Sequence, residues 1–194
     1  QVFSLPVPMK RRRVAIIGGG FSGAALAAHV LKRRNAPDVV LIGRDKAFGR
    51  GVAYGTRDPA HLLNIRAAGM SAFASEPEHF VRWLASHGKR GADDVFARRM
   101  QFGAYVEHVL RRAHGGWGGA KLKRVRDDAV ACRRDEKGWV LTLGGGKTVE
   151  VDAVALALGN APPRAPSVFE GVPMLDPSDA GALARIPAGD VLLL

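Results

Sequence analysis

The stretch Val14-Ala15-Ile16-Ile17-Gly18-Gly19-Gly20-Phe21-Ser22-Gly23 decides the fold. Val14 to Ile17 is a short apolar run, which predicts a buried strand. It leads directly into Gly18-x-Gly20-x-x-Gly23, and Ala24 to Arg34 continues as a helix. Strand, glycine loop and helix in that order are the context in which this spacing signals dinucleotide binding. Gly18 allows the tight turn, Gly20 lets backbone approach a pyrophosphate, and Gly23 lets the helix pack on the strand. The free N–H groups of the first helical turn then face the phosphates.

A secretory signal is the rival for these residues. Lys10 to Arg13 is a basic cluster, and Val14 to Leu31 contains no charged side chain apart from a titratable His29. The glycines inside that run would weaken a membrane-inserting helix, which argues for the loop. If translation starts at Met9, residues 1–8 are a leader, and residues 1–13 are read as an N-terminal tail.

Outward from the loop, the bulk composition narrows the choices. A chain of 194 residues can bury one sizeable core. Its single cysteine, Cys132, excludes an intrachain disulfide framework, so the cytoplasm is the expected compartment. Cys132 itself is expected as a small apolar side chain in a meander. The net charge of +11 raises nucleic acid as a partner. Arginine is scattered, however, and no ladder of aromatic and basic residues offers stacking platforms. Neither nucleic acid nor a membrane is expected as a partner; a small molecule is. The six histidines lack metal-ligand spacing, so no metal is expected. There is no G-x-S-x-G elbow, and no catalytic acid, base or nucleophile emerges.

Val39 to Ile42 completes a βαβ unit. Residues 43–75 lack periodicity, and a loop of that length is usually functional. Ser75-Glu76-Pro77-Glu78 resembles a capping box opening a helix that Gly88 stops. A second helix is expected from about Phe102 to Ala113, with Tyr105, Val106, Val109 and Leu110 inward. Short strands follow at Leu122–Val125, Ala129–Arg134, Trp139–Leu143 and Thr148–Val151, with Gly144-Gly145-Gly146 as a hairpin signal. Val154 to Leu158 is a further buried strand, ending at Gly159-Asn160. Pro162, Pro163 and Pro166 mark a crossing, and residues 190–194 begin one more strand.

Two segments carry a resemblance. Gly49-Arg50-Gly51-Val52-Ala53-Tyr54-Gly55-Thr56 is followed by Asp58-Pro59-x-His61-Leu62-Leu63-Asn64. With the GGGxSG loop, these resemble bacterial FAD/NAD(P)-binding proteins, similar at a distance to two-dinucleotide flavoproteins and N-hydroxylating monooxygenases. Phe80-x-x-Trp83-Leu84, Arg99-x-x-x-Gly103-x-Tyr105 and the run Ala155 to Pro163 extend the match. The resemblance implies that Gly18, Gly20, Phe21, Ser22 and Gly23 hold the FAD pyrophosphate. It sets Arg50, Gly51 and Tyr54 near flavin or phosphates, and His61 and Asn64 near the isoalloxazine edge. Val130 would meet the adenine through its backbone, and Gly159 and Asn160 would close over the cofactor. On the residues alone, the glycines flanking Arg50 leave a guanidinium free for phosphate. His61 could equally be structural, and Arg99 reads as a solvated charge at a helix end.

One position departs from the pattern. An acid is expected about 20 residues beyond the last glycine to bind the ribose, yet the chain has Gly43-Arg44 there and Asp45 just after. Arg44 is the usual mark of a 2′-phosphate, so NADP in the first site stands as the counter-reading, with Asp45 as a substitute acid under the FAD reading.

The expected fold is α/β: a Rossmann-type parallel sheet crossed by an antiparallel meander. Residues 14–189 form the FAD-binding domain, with a helical insertion at about 75–114, and residues 190–194 open a second dinucleotide-binding domain. The expected function is the FAD-binding part of an FAD/NAD(P)H-dependent oxidoreductase, monooxygenase-like. A flavin dehydrogenase without oxygen chemistry and a non-catalytic binding module are the alternatives.

Overall fold

The computed structural model describes residues 11–113, 119–160 and Gly189. The expected crossing around Pro162 and the strand at 190–194 lie outside the described residues. Strand β1 (Arg13–Ile17) is followed by α1 (Phe21–Leu31) and β2 (Asp38–Gly43). A short helix α2 (Gly51–Tyr54), a 3₁₀ turn (Ala67–Gly69), α3 (His79–Ser86) and α4 (Arg99–Ala113) come next. Five strands complete the order: β3 (Leu122–Arg126), β4 (Ala129–Asp135), β5 (Gly138–Leu143), β6 (Thr148–Val151) and β7 (Ala153–Leu156).

The parallel sheet runs β3-β2-β1-β7, and β4-β5-β6 form a separate antiparallel sheet. Register is continuous, with Val14 opposite Val39 on one side and Ala153 on the other. The α/β fold of a parallel sheet with an antiparallel meander is the one the sequence predicts. Leu122–Val125, expected only as the first of a run of short strands, is the edge of the parallel sheet, with Val39 opposite Leu122.

Alternation along β1 and β2 divides the core into two layers, because neighbouring side chains on a strand face opposite ways. Ile16, Val39 and Leu41 face the helices, where they join Ala27, Leu31, Phe80, Phe102 and Tyr105. Ala15, Val40 and Ile42 face the meander, where they meet Leu141, Leu143 and Val151. Each large side chain so buried contributes about 1.5–3 kcal/mol. Helix α1 buries Gly23, Ala24, Ala27, Ala28 and Leu31, one stripe of small residues ending in a leucine. Small side chains let α4 come close, and α1 and α4 are the most extensively packed helix pair.

The structure redraws several boundaries. Helix α1 starts at Phe21, inside the glycine loop, and ends at Leu31 rather than Arg34. The capping box at Ser75 does not form: α3 begins at His79, with Glu78 as N-cap and no side-chain capping bond. Ser75 lies too far upstream, and Glu76 instead pairs with Lys32 and Arg82. Gly88 does end α3, at φ +80°. Its N–H donates to Ala85 O at 3.1 Å and Lys89 N–H to Leu84 O at 3.0 Å, a Schellman closure. Helix α4 starts at Arg99, one turn earlier than expected, and buries Tyr105, Val106, Val109 and Leu110 as expected. Cys132 sits in the meander but is exposed, because β4 is an edge strand exposed along nearly its whole length. Among the described residues, no helix is long and apolar enough to cross a membrane.

Candidate dinucleotide site

Strand β1 ends between β2 and β7, so the glycine loop leaves the sheet at the point where strand order reverses. Ligands of open α/β sheets bind in the crevice at such a point. Gly18 N–H donates to Ile42 O at 2.8 Å, and Ala157 N–H donates to Ile17 O at 2.7 Å, so both neighbouring strands hold the turn.

The three motif glycines are small for different reasons. A Cβ on Gly18 would lie 2.0 Å from Ala157 O, and φ there is +121°. A Cβ on Gly23 would lie 1.9 Å from Gly18 O. The protein's own backbone forbids side chains at both. Gly20 differs: its φ is an ordinary −74°, and the nearest atom to a Cβ would be Gly51 Cα, at 3.5 Å. No contact among the described residues requires glycine there: an added Cβ would rest against the strap at an ordinary distance. A pyrophosphate approaching the backbone closely is what such a glycine serves in a loop of this kind. Gly20 is also the N-cap of α1, with no side chain capping it, and the first turn carries no acid. The first-turn amides at Phe21, Ser22 and Gly23 lack partners within the helix and face the loop mouth.

Residues 49–55 lie as a strap beside this loop, and α4 holds the strap. Gly49 N–H donates to Gly19 O at 2.8 Å. A Cβ on Gly51 would lie 3.1 Å from Gly20 Cα, so glycine meets glycine where strap and loop touch. On the other side, a Cβ on Gly103 of α4 would lie 2.5 Å from Tyr54 O. Arg99, one turn earlier, donates from Nε to Leu62 O at 3.0 Å and reaches Ala53 O at 3.5 Å. One turn later, Glu107 receives Arg50 in two hydrogen bonds, Nε–Oε1 at 2.7 Å and Nη2–Oε2 at 3.1 Å. The guanidinium expected to be free for phosphate is therefore committed, because α4 presents a carboxylate opposite it. The Glu107 hydrogen bonds, opposed by burial and aided by Glu107's charge, raise the Arg50 pKa further. The Tyr54 ring stands edge-on to Phe21 at 5.7 Å and against Phe102 at 4.7 Å, which ties strap, loop and α4 into one aromatic contact. Burial raises the Tyr54 pKa, with the Arg99 charge opposing, so its phenol stays neutral.

The remaining residues expected at the site are spread along one edge. His61 Nδ1 is 2.8 Å from Thr56 Oγ1 and its Nε2 is 3.7 Å from Asp58, so its side-chain contacts are local, while its carbonyl accepts from Arg99 N–H at 2.8 Å. Asn64 is exposed and its amide has no partner among the described residues. Val130 occupies a bulge where the β4–β5 register shifts, and it is 63% exposed. Gly159, at φ +73°, and Asn160 are exposed beyond the end of β7. Arg44 is exposed at the end of β2, with Asp128 3.2 Å from its Nε. Loop and strap thus bring Gly18 to Gly23, Arg50, Gly51 and Tyr54 together; among the described residues, no side-chain hydrogen bond or ion pair joins His61 or Asn64 to them.

Gly103, Glu107 and the two carbonyl contacts of Arg99 escape sequence reasoning. The signal was present as Arg99-x-x-x-Gly103-x-x-x-Glu107, three residues one turn apart on a single helix face. What that face would meet was not readable. One concavity of about 260 Å³ lies between α3 and α4, bordered by Arg50 of the strap and by Trp83, His87, Lys89 and Arg98. Trp83 Nε1 is the one buried side-chain polar atom among the described residues without a hydrogen-bond partner. In open α/β sheets of this kind an extended dinucleotide runs along the groove at the carboxyl ends of the strands, where the loop and strap of this chain meet.

The family whose model matches, over residues 15–161, is described as FAD-NAD(P)-binding. The chain belongs to this family. Its cofactors are accordingly FAD and NAD(P)H. No curated protein matches the sequence. Among solved structures, the lysine monooxygenase NbtG from Nocardia farcinica is 20% identical, with a TM-score of 0.53, covering 89% of this chain and 63% of that one. The halogenase PltM is 11% identical, with a TM-score of 0.50, covering 77% and 34%. The chain thus spans less than two thirds of the length of either, and the likeness is one of fold.

Proposed function

We propose that the chain is the FAD-binding part of an FAD- and NAD(P)H-dependent oxidoreductase of monooxygenase type, acting on a small molecule. Gly20 carries the proposal. It is the one motif glycine whose bareness packing among the described residues does not explain, and it is the N-cap of a helix that no side chain caps. Gly18 and Gly23 shape the loop, and Phe21, Ser22 and Gly23 offer backbone donors to the pyrophosphate. Gly51 keeps the strap close to the loop without obstructing it. Arg50 acts through Glu107 as a positioning residue, and Tyr54 packs behind Phe21. Val130 presents its backbone to the adenine, while His61, Asn64, Gly159 and Asn160 lie toward the flavin end of the groove.

The backbone amides of Phe21, Ser22 and Gly23 would hold the flavin cofactor's pyrophosphate, and the bound flavin would supply two-electron transfer between NAD(P)H and oxygen. The balance is NAD(P)H, O₂, substrate and one proton giving NAD(P)⁺, water and a substrate carrying one oxygen. The chain supplies orientation and a dry aromatic backing from Phe21, Tyr54 and Phe102. Membership of an FAD-NAD(P)-binding family supports the reading, as does the fold shared with a lysine monooxygenase.

The test is the visible spectrum of the protein after incubation with FAD and desalting, followed by oxygen uptake with NADPH or NADH. An oxidised-flavin spectrum released as FAD on denaturation is expected. A colourless protein that takes up neither FAD nor an NAD(P) would overturn the proposal. Flavin reduced by NAD(P)H but inert to oxygen would replace the monooxygenase with a dehydrogenase.

A further inference from the structure

The acid expected at the end of β2 is absent, yet the structure brings a carboxylate to that place from another strand. Asp128, in the turn between β3 and β4, sets Oδ1 3.2 Å from Arg44 Nε. Backbone bonds fix this turn against the end of β2. Gly43 is paired in register with Arg126, and Asp127 N–H donates to Gly43 O at 3.2 Å. Asp128 N–H donates to Asp127 Oδ1 at 2.8 Å, and Asp128 O accepts from Gly144 N–H at 2.8 Å. Arg126 Nε reaches the Arg44 carbonyl at 3.3 Å. The Asp128 and Arg44 side chains are 54% and 78% exposed, so a ligand can reach both. Val130, two residues on, is exposed at the bulge where the β4–β5 register shifts. Asp45, by contrast, has no hydrogen bond or ion pair holding its side chain among the described residues.

We propose that Asp128 is the ribose-binding carboxylate of the first dinucleotide site, and that Arg44 is the positioning residue that holds it there. A carboxylate accepts hydrogen bonds from the ribose hydroxyls, the task normally given to an acid ending β2. The same pairing withholds the Arg44 guanidinium from a 2′-phosphate, and the carboxylate repels that phosphate directly. An arginine that by itself signals NADP thus becomes part of a site selecting an unphosphorylated ribose. The proposal rests on the reading that the adenosine half of the dinucleotide crosses the end of β2. An exposed ion pair contributes little to stability, so its removal leaves the fold in place.

The matched probes are ADP-ribose and 2′-phospho-ADP-ribose, titrated by calorimetry into the protein and its Asp128→Asn, Asp128→Asn/Arg44→Gln and Gly20→Ala variants. The native protein is expected to favour ADP-ribose. Asp128→Asn shifts the preference by about 10-fold toward the 2′-phosphate, as one charge-assisted contact is lost and another gained. The double variant loses that gain, because no guanidinium remains to receive the phosphate. An unchanged ratio in Asp128→Asn overturns the assignment. If Gly20→Ala weakens ADP-ribose while the Asp128 ratio stays fixed, only the ribose assignment fails. If Gly20→Ala leaves ADP-ribose binding intact, the nucleotide lies elsewhere and the placement of the site fails with it.

Discussion

The glycine loop at residues 18–23 and the strap at residues 49–55 touch at Gly20 and Gly51, yet different causes shape them. The loop is shaped in part locally, Gly23 meeting Gly18 O of the loop itself, and in part by the sheet, Gly18 meeting Ala157 O just past the neighbouring strand β7. The strap is shaped at a distance, by Gly103, Glu107 and Arg99 on a helix some fifty residues further along the chain. A local device repeats wherever strand, turn and helix recur in that order. A strap held by a remote helix is specific to this chain's topology.

The largest effect expected from breaking this pair of devices is at Gly23. Gly23→Ala puts a methyl group 1.9 Å from Gly18 O. The loop and α1 must separate, costing about 3 kcal/mol or more, which chemical denaturation would register. A variant as stable as the native protein would show that the loop yields more easily than its contacts imply. Gly103→Ala comes next: the new methyl lies 2.5 Å from Tyr54 O. Because alanine favours the helix, α4 should persist while the strap lifts, with a loss of about 1–3 kcal/mol and weakened FAD binding. Retained helical circular dichroism with reduced flavin retention is the signature.

Gly20→Ala sharpens the contrast by separating ligand from fold. The methyl group meets only ordinary contacts, so stability stays within about 1 kcal/mol of native, the usual range for an N-cap change. FAD affinity falls about 10-fold or more, equivalent to roughly 1.4 kcal/mol, readable by fluorescence titration. Glu107→Gln is milder. It removes the charge that receives Arg50 while keeping the shape, for about 1 kcal/mol and a smaller loss of flavin affinity. Equal effects of Glu107→Gln and Glu107→Ala on flavin affinity would argue that packing, not the ion pair, holds the strap.

The smallest effect concerns pH. Burial is the main cause that lowers the His79 pKa, and the same is true of His108, where Arg111 and Arg112 add to it. In His79 the neutral ring meets Tyr105 Oη at 2.8 Å through Nδ1. The unfolded chain binds these protons more readily than the folded one, so stability rises with pH through this range. Their contribution is complete above the ordinary histidine value of about 6.5 and falls away as the solution is acidified below it. Thermal melts from neutral pH downward should fall, and His79→Gln should flatten part of that slope. An unchanged slope in His79→Gln would place the titration elsewhere.

Legibility followed the range of the interactions. The βαβ unit, the hairpin at Gly144 to Gly146 and the inward face of α4 were readable because period and turn chemistry are local. The Ser75 capping signal failed because Glu76 found Lys32 and Arg82 instead, partners no neighbouring residue announces. Leu122 gives no hint that β3 pairs parallel with a strand more than eighty residues earlier. Arg50 looked free between two glycines until α4 set Glu107 opposite it.

By itself, the sequence determined that a glycine loop would follow a buried strand and open a helix. Steric requirements for glycine and the burial of Val14 to Ile17 operate over a few residues, and they leave a readable pattern. Only the tertiary structure decided which motif glycines the packing of the described residues requires and which it does not, and which charges are committed. It alone set Asp128 beside Arg44. Those outcomes depend on atoms meeting across the fold, at distances that no spacing along the chain encodes.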